Sequence, residues 1–162
     1  MAWAPDGGSI AFFGTPLGNG DRALDYRLGI RPLAASDVDW VVRFPAYQER
    51  WAVGSAQLTF DTGGLNLVYV SPQSASDLWV VNLRSREGRL LASLPAGVAD
   101  TRPIGWIDAT RLAVHAFGGN PNYGVHAESQ LLLIDITTGE VRPITGLLPP
   151  YTTVLSVERL PD

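Results

Sequence analysis

The chain has 162 residues, 46% of them hydrophobic and 17% charged, with a net charge of −4. These values exclude a disordered chain, which needs fewer apolar and more charged residues, and they offer nucleic acid no general electrostatic attraction. No run reaches the roughly 18 apolar residues of a membrane helix, no basic-then-apolar leader marks a signal peptide, and without cysteine there are no disulfides and no thiolate chemistry.

The 17 glycines and 12 prolines are spread along the chain, which suits many short strands joined by tight turns. All twelve basic residues are arginine, which we read as a genome-composition effect. The first element is the turn Trp3-Ala4-Pro5-Asp6-Gly7-Gly8, followed by a strand over 9–13. Here Asp6 accepts hydrogen bonds from backbone N–H groups just ahead of it, and Gly7 supplies a positive φ. Residues 23–28 and 29–33 read as a weaker strand pair. Over 34–58, Ser36 with Asp39 resembles a helix cap, and Val38, Val41 and Val42 share a helical face. Against this, Trp40-Val41-Val42-Arg43-Phe44 is β-branched and aromatic and ends at Pro45, so strand is preferred. A strand over 51–60 leads into the second turn, Phe60-Asp61-Thr62-Gly63-Gly64, with a strand over 65–70 behind it.

The second half repeats the plan. Residues 78–83 and 89–94 form a strand pair around the polar turn 84–88. The third turn motif is Gly105-Trp106-Ile107-Asp108-Ala109-Thr110, followed by a strand over 111–117. Residues 131–136 and 141–145 form another strand pair, with Asp135 matching Asn82 at a distance of 53 residues. The turn aspartates Asp6, Asp61 and Asp108 are 55 and 47 residues apart. The run 131–134 has no polar alternate, so it must be covered on both faces. Leu148-Pro149-Pro150-Tyr151 reads as a linker, and 152–159 as an isolated strand.

The candidate binding residues are His115, Asn120, Asn122, Tyr123, His126 and Glu128, on a segment that reads as one long hairpin loop. Long loops on a rigid scaffold are where binding groups concentrate. Zinc accepts two imidazoles and a carboxylate, but the spacing of 11 between His115 and His126 matches no compact zinc motif, so no metal or other cofactor is assigned. The acidic pairs Asp21/Asp25 and Asp37/Asp39 lack the ligand density of a calcium loop and read as solvated turns. No G-x-S-x-G elbow is present, and no catalytic residue is assigned.

The segment Trp3-Ala4-Pro5-Asp6-Gly7-Gly8-Ser9-Ile10-Ala11-Phe12 resembles the W-S-P-D-G-x-x-I-A-F signature of TolB-like, WD40-like β-propeller repeats. Leu132-Leu133-Ile134-Asp135-Ile136-Thr137-Thr138-Gly139-Glu140-Val141 is similar to the third strand, turn and fourth strand of such a blade. The resemblance implies an all-β fold of antiparallel four-stranded blades, about three per chain, in a single domain over 1–162. The units fall near 3–50, 51–97 and 98–146, with the extra strand at 152–159. It also implies that Trp3 and Trp106 pack between blades, with Leu58 at the matching place in the second unit. Asp6, Gly7, Asp61, Gly63 and Asp108 then hold the turns.

Propellers have about four to eight blades, so three do not close a ring. The chain reads as beginning at a second strand and finishing at a first strand. Two situations fit: two chains exchanging these strands would close a six-bladed homodimer, or the chain is a fragment of a longer propeller protein. The expected function is non-catalytic binding of a protein, peptide or glycan partner. The alternatives are an accessory domain of a hydrolase or peptidase, or a metal-dependent enzyme using the loop between His115 and Glu128. The resemblance implies a periplasmic or extracellular place.

Overall fold

The computed structural model describes residues 1–14, 27–44, 57–71, 74, 76–94, 98–120, 125–144 and 146, with backbone alone at 99, 119, 120 and 125–127. The described residues hold twelve strands and no helix. They form three antiparallel four-stranded sheets, each with its strands in chain order. The first blade is β1 (Ala2–Trp3), β2 (Ser9–Gly14), β3 (Arg27–Pro32) and β4 (Asp39–Arg43). The second is β5 (Leu58–Phe60), β6 (Asn66–Val70), β7 (Asp77–Asn82) and β8 (Gly88–Ser93). The third is β9 (Val98–Trp106), β10 (Arg111–Asn120), β11 (Val125–Asp135) and β12 (Val141–Pro143).

Two cores fill the spaces between the blades. Ala11 and Leu28 of the first blade meet Leu67, Tyr69 and Val81 of the second. Val68, Leu78 and Val80, on the other face of the second blade, meet Leu112, Val114, Leu132 and Ile134 of the third. The second blade is thus apolar on both faces because it is covered on both faces. Phe13, Phe44 and Tyr69 form an aromatic triangle with ring centroids 5.7–6.1 Å apart. Burial there pushes the Tyr69 phenol up to about 12.

The turn aspartates act as their chemistry dictates. Gly8 N–H donates to Asp6 Oδ1 at 2.8 Å, and Thr110 and Arg111 N–H both donate to Asp108 Oδ1 at 2.9 Å. Asp61 works further along, accepting from the N–H groups of Leu65 and Asn66. The matched pair behaves alike: Arg84 and Ser85 N–H donate to Asn82 Oδ1, and Thr137 and Thr138 N–H to Asp135 Oδ1. In the second turn the positive φ belongs to Gly64 (+68°) and not to Gly63, around which there is open space.

The Arg111 guanidinium, then the Thr110 N–H, hold the Asp108 carboxyl well below the usual carboxylate range. A carboxyl depressed on folding stabilises the protein above its unfolded pKa of about 3.9, and that contribution fades as pH falls through the lower folded value. Asp108→Asn is therefore expected to flatten the loss of Tm on acidification below about pH 4.5. An unchanged acid slope would show that Asp108 contributes nothing to acid denaturation.

Four expectations are corrected. The first blade has its first strand, since Ala2 and Trp3 pair with Ala11 and Ile10; the strand expected over 152–159 lies outside the described residues. Residues 27–32 are one strand, not two halves meeting at Gly29. A Cβ on Gly29 would come within 2.7 Å of Val38 and 2.9 Å of Trp40, so this glycine serves close packing and makes no turn. Register pairs Trp3 with Ile10, Phe60 with Leu67 and Trp106 with Leu112, so Phe60 and not Leu58 matches the tryptophans. Trp106 does lie between blades, its Nε1–H donating to Thr59 Oγ1 at 3.3 Å, whereas Trp3 is 60% exposed. Over 34–58, the strand reading is the right one for Asp39–Arg43.

Candidate functional site

The third blade is longer than its neighbours at one end. β10 and β11 have ten and eleven residues where β6 and β7 have five and six. The surplus of five residues on each strand reaches roughly 16 Å beyond the second blade's strands, at about 3.3 Å per residue. It lies at the end away from the Asp108 turn. Most of the segment read as a loop is therefore paired strand: His115 faces Leu131, Phe117 faces Ser129 and Gly119 faces His126. Only 121–124, with Asn122 and Tyr123, separates the strands, and those residues lie outside the described ones.

Of the sequence candidates, only His115 and Glu128 have described side chains. His115 is 1% exposed on β10. Its partner on β11 is Leu131, five residues along from His126, so the ladder holds the two histidines roughly 14–16 Å apart. Glu128 is exposed on β11, and Asn120 is placed by its backbone alone, opposite Val125. Among the described residues no three His, Asp or Glu side chains are grouped as metal ligands.

A different set assembles around His115. Pairing places Asp100, Phe117 and Ser129 in one row across β9, β10 and β11, and Arg102, His115 and Leu131 in the next row on the same face. The His115 and Phe117 rings have centroids 3.9 Å apart. The Arg102 guanidinium lies 4.9 Å over the Phe117 ring and makes a 2.9 Å ion pair with the buried Asp100. Asp100 Oδ1 also accepts from Thr101 N–H at 2.9 Å, so its charge is paired and hydrogen-bonded despite burial. Arg102, held between a carboxylate and an aromatic face, stays half-exposed and presents an oriented cation. The sequence signal was available: Asp100 with Arg102, and His115 with Phe117, are spaced by two and so share a strand face.

A cleft of about 550 Å³ lies between the second and third blades, lined by Asn66, Asn82, Ser85, Glu87, Arg89 and Thr137. Its polar groups are largely engaged in the fold. Asn82 Nδ2 donates to Asn66 Oδ1, Asn66 Nδ2 donates to Asp61, and Arg89 donates to the Ile136 carbonyl.

No family model and no curated protein matches the chain. Solved structures do. An oligogalacturonate lyase in complex with manganese superposes with a TM-score of 0.62 at 16% identity, over 89% of this chain and 38% of that one. A putative TolB from Agrobacterium tumefaciens gives 0.61 at 11%, over 92% and 49%. Prolyl oligopeptidase B from Galerina marginata gives 0.60 at 14%, over 90% and 20%. The chain spans less than half the length of each. At these identities the likeness speaks for the fold, and together with the three four-stranded sheets it defines an all-β protein of β-propeller type. Within that type, the TolB-like resemblance carried by the turn motifs agrees with the solved structures.

Proposed function

We propose that this protein is a non-catalytic binding module that engages a protein or peptide partner at the extended end of its third blade. The observation that carries this reading is the elongation of β10 and β11, which gives one blade a projecting paired hairpin. Arg102 beside it is ordered by Asp100 and Phe117, so little side-chain entropy is lost when it donates to a partner's carboxylate or carbonyl.

Selection from a displayed peptide library tests this. Peptides recovered on the full chain should lose at least about tenfold in affinity when residues 118–127 are replaced by Asn-Gly, and several-fold with Arg102→Ala. Thermal melting should show that both variants remain folded. Selected peptides that bind the shortened chain equally well would reject this end as the site, and recovery of glycans alone on an array would reject the partner class. The second reading, an accessory propeller of a hydrolase, draws support from the likeness to prolyl oligopeptidase B. A hydrolase encoded alongside this chain and co-purifying with it would favour that reading.

A further inference from the structure

The two junctions between blades are built from matching positions. Register places Ile30 and Asp39 of the first blade where Val80 and Arg89 stand in the second. The turn residue facing the preceding blade is Arg86 at the first junction and Gly139 at the second, each donating its N–H to the carbonyl four residues back. At the first junction the Arg86 guanidinium grips the Asp39 carboxylate with two of its nitrogens. At the second, a guanidinium stands in place of that carboxylate, and a glycine in place of that arginine. The cleft of about 550 Å³ opens at this second junction. Its floor is apolar, formed by Val80 and Ile136, both buried. Its wall is the amide pair Asn66 and Asn82, held by Asp61. Glu87 and Arg89 flank Gly88 at the start of β8, so their side chains share one face, about 7 Å apart at Cα. Arg89 is oriented by the bond it donates across the junction to the Ile136 carbonyl, and its other N–H groups remain. Among the described residues the Glu87 carboxylate has no hydrogen bond or ion pair.

We propose that this cleft binds a dipeptide with apolar side chains. Arg89 takes its carboxylate, as Arg86 takes that of Asp39 at the first junction, and Glu87 takes its terminal ammonium. Asn82 Nδ2 spends one N–H on Asn66, and its second donates to the ligand's peptide carbonyl. Val80 and Ile136 meet the ligand's side chains. The length fits: the end charges of an extended dipeptide lie about 6 Å apart, close to the spacing of Glu87 and Arg89, against about 2.5 Å in a free amino acid. The volume falls within the roughly 300–1,000 Å³ of small-ligand sites. Among the described residues no aromatic ring lines the cleft, so it offers no stacking plane for a sugar. The cleft lies at the Asp108-turn end of the blades, opposite the extended hairpin, and is separate from the site proposed above.

Calorimetric titration of the full chain with leucyl-valine tests the proposal. The expected Kd is roughly 0.1–1 mM. Acetylating the dipeptide's amine, or amidating its carboxylate, should each weaken binding at least about tenfold. Glu87→Gln should weaken the free dipeptide about tenfold and leave the acetylated one unchanged, because only the ammonium contact is lost. That variant removes no contact within the fold, so its melting temperature should equal that of the native chain. Arg89→Gln should weaken both ligands at least about tenfold. Replacing residues 118–127 by Asn-Gly should leave the titration unchanged; a loss there would place the dipeptide at the hairpin and overturn the assignment. No heat and no rise in melting temperature at about 10 mM dipeptide overturns the proposal. Equal binding of the capped dipeptides, or of free leucine, overturns it equally.

Discussion

Gly139→Ala is expected to lower stability by about 3–5 kcal/mol, as measured by urea unfolding. Gly139 closes the turn between β11 and β12 at φ +77°, where an L side chain costs roughly 1–2 kcal/mol. The larger cost is steric. An alanine Cβ would lie 2.5 Å from the Leu91 carbonyl oxygen, a distance real Cβ atoms essentially never show. Leu91 belongs to β8 and to the core between the second and third blades, so relieving the clash means parting those blades. The second blade supplies its own control. Arg86 occupies the equivalent turn at φ +65°, its N–H bonded to the Asn82 carbonyl as that of Gly139 is to Asp135. A side chain is therefore tolerated in this backbone conformation where no carbonyl opposes it. Arg86→Gly should change stability by no more than about 1 kcal/mol, its ion pair with the exposed Asp39 being screened by water. A Gly139→Ala loss near 1 kcal/mol would show that the blades give way easily.

What was legible in the sequence was what local chemistry decides. An aspartate bonding to N–H groups two or three residues ahead needs no partner from elsewhere, so the turns at Asp6, Asp108, Asn82 and Asp135 could be read from their neighbours alone. The apolar run at Leu131-Leu132-Leu133-Ile134 likewise announced a core strand, and Leu132 and Ile134 lie in the core between the second and third blades. The misreadings arose where a residue has two uses and only the fold chooses between them. Gly29 stood at the join of the strand pair read over 23–28 and 29–33, but it lies inside one strand, where Trp40 from another strand needs the space. Gly118-Gly119-Asn120 resembled a loop, but β11 supplies a pairing partner, with a register shift between Phe117 and Gly119 absorbing the irregularity.

The candidate site suffered most from this ambiguity. β9 was not read as a strand, and Pro103 lies within it. In the fold Pro103 sits beside a register shift between Ala113 and Val114, where a missing N–H is tolerated. Without β9 there was no means of bringing Asp100 and Arg102 to His115 and Phe117. The histidines drew attention by residue type, while the arrangement of charges depended on a strand that had not been recognised.

The turn at Asp61 should prove the most sensitive to removal of a single polar side chain, with Asp61→Ala costing about 3–5 kcal/mol. Asp61 is 7% exposed. Its Oδ1 accepts from Leu65 N–H at 2.8 Å and Asn66 N–H at 3.0 Å, and its Oδ2 from Asn66 Nδ2 at 2.8 Å. Asn66 Oδ1 in turn accepts from Asn82 Nδ2 at 3.1 Å, and Asn82 Oδ1 accepts from Arg84 and Ser85. One carboxylate thus ties the turn before β6 to the turn after β7. Alanine leaves three donors without their acceptor beside the core, each worth about 1–3 kcal/mol, with water relieving part of the sum. Asp61→Asn should cost less, about 1–2 kcal/mol: its carbonyl keeps the two backbone bonds, while its amide turns a donor toward the Asn66 donor. Asp6→Ala should cost about 1 kcal/mol or less, because that exposed carboxylate holds a single N–H, from Gly8. The ordering of the three variants in urea unfolding separates a connected buried network from a row of independent turns. If Asp61→Ala and Asp6→Ala cost the same, water already reaches the Asp61 donors and the link between the two turns carries no stability.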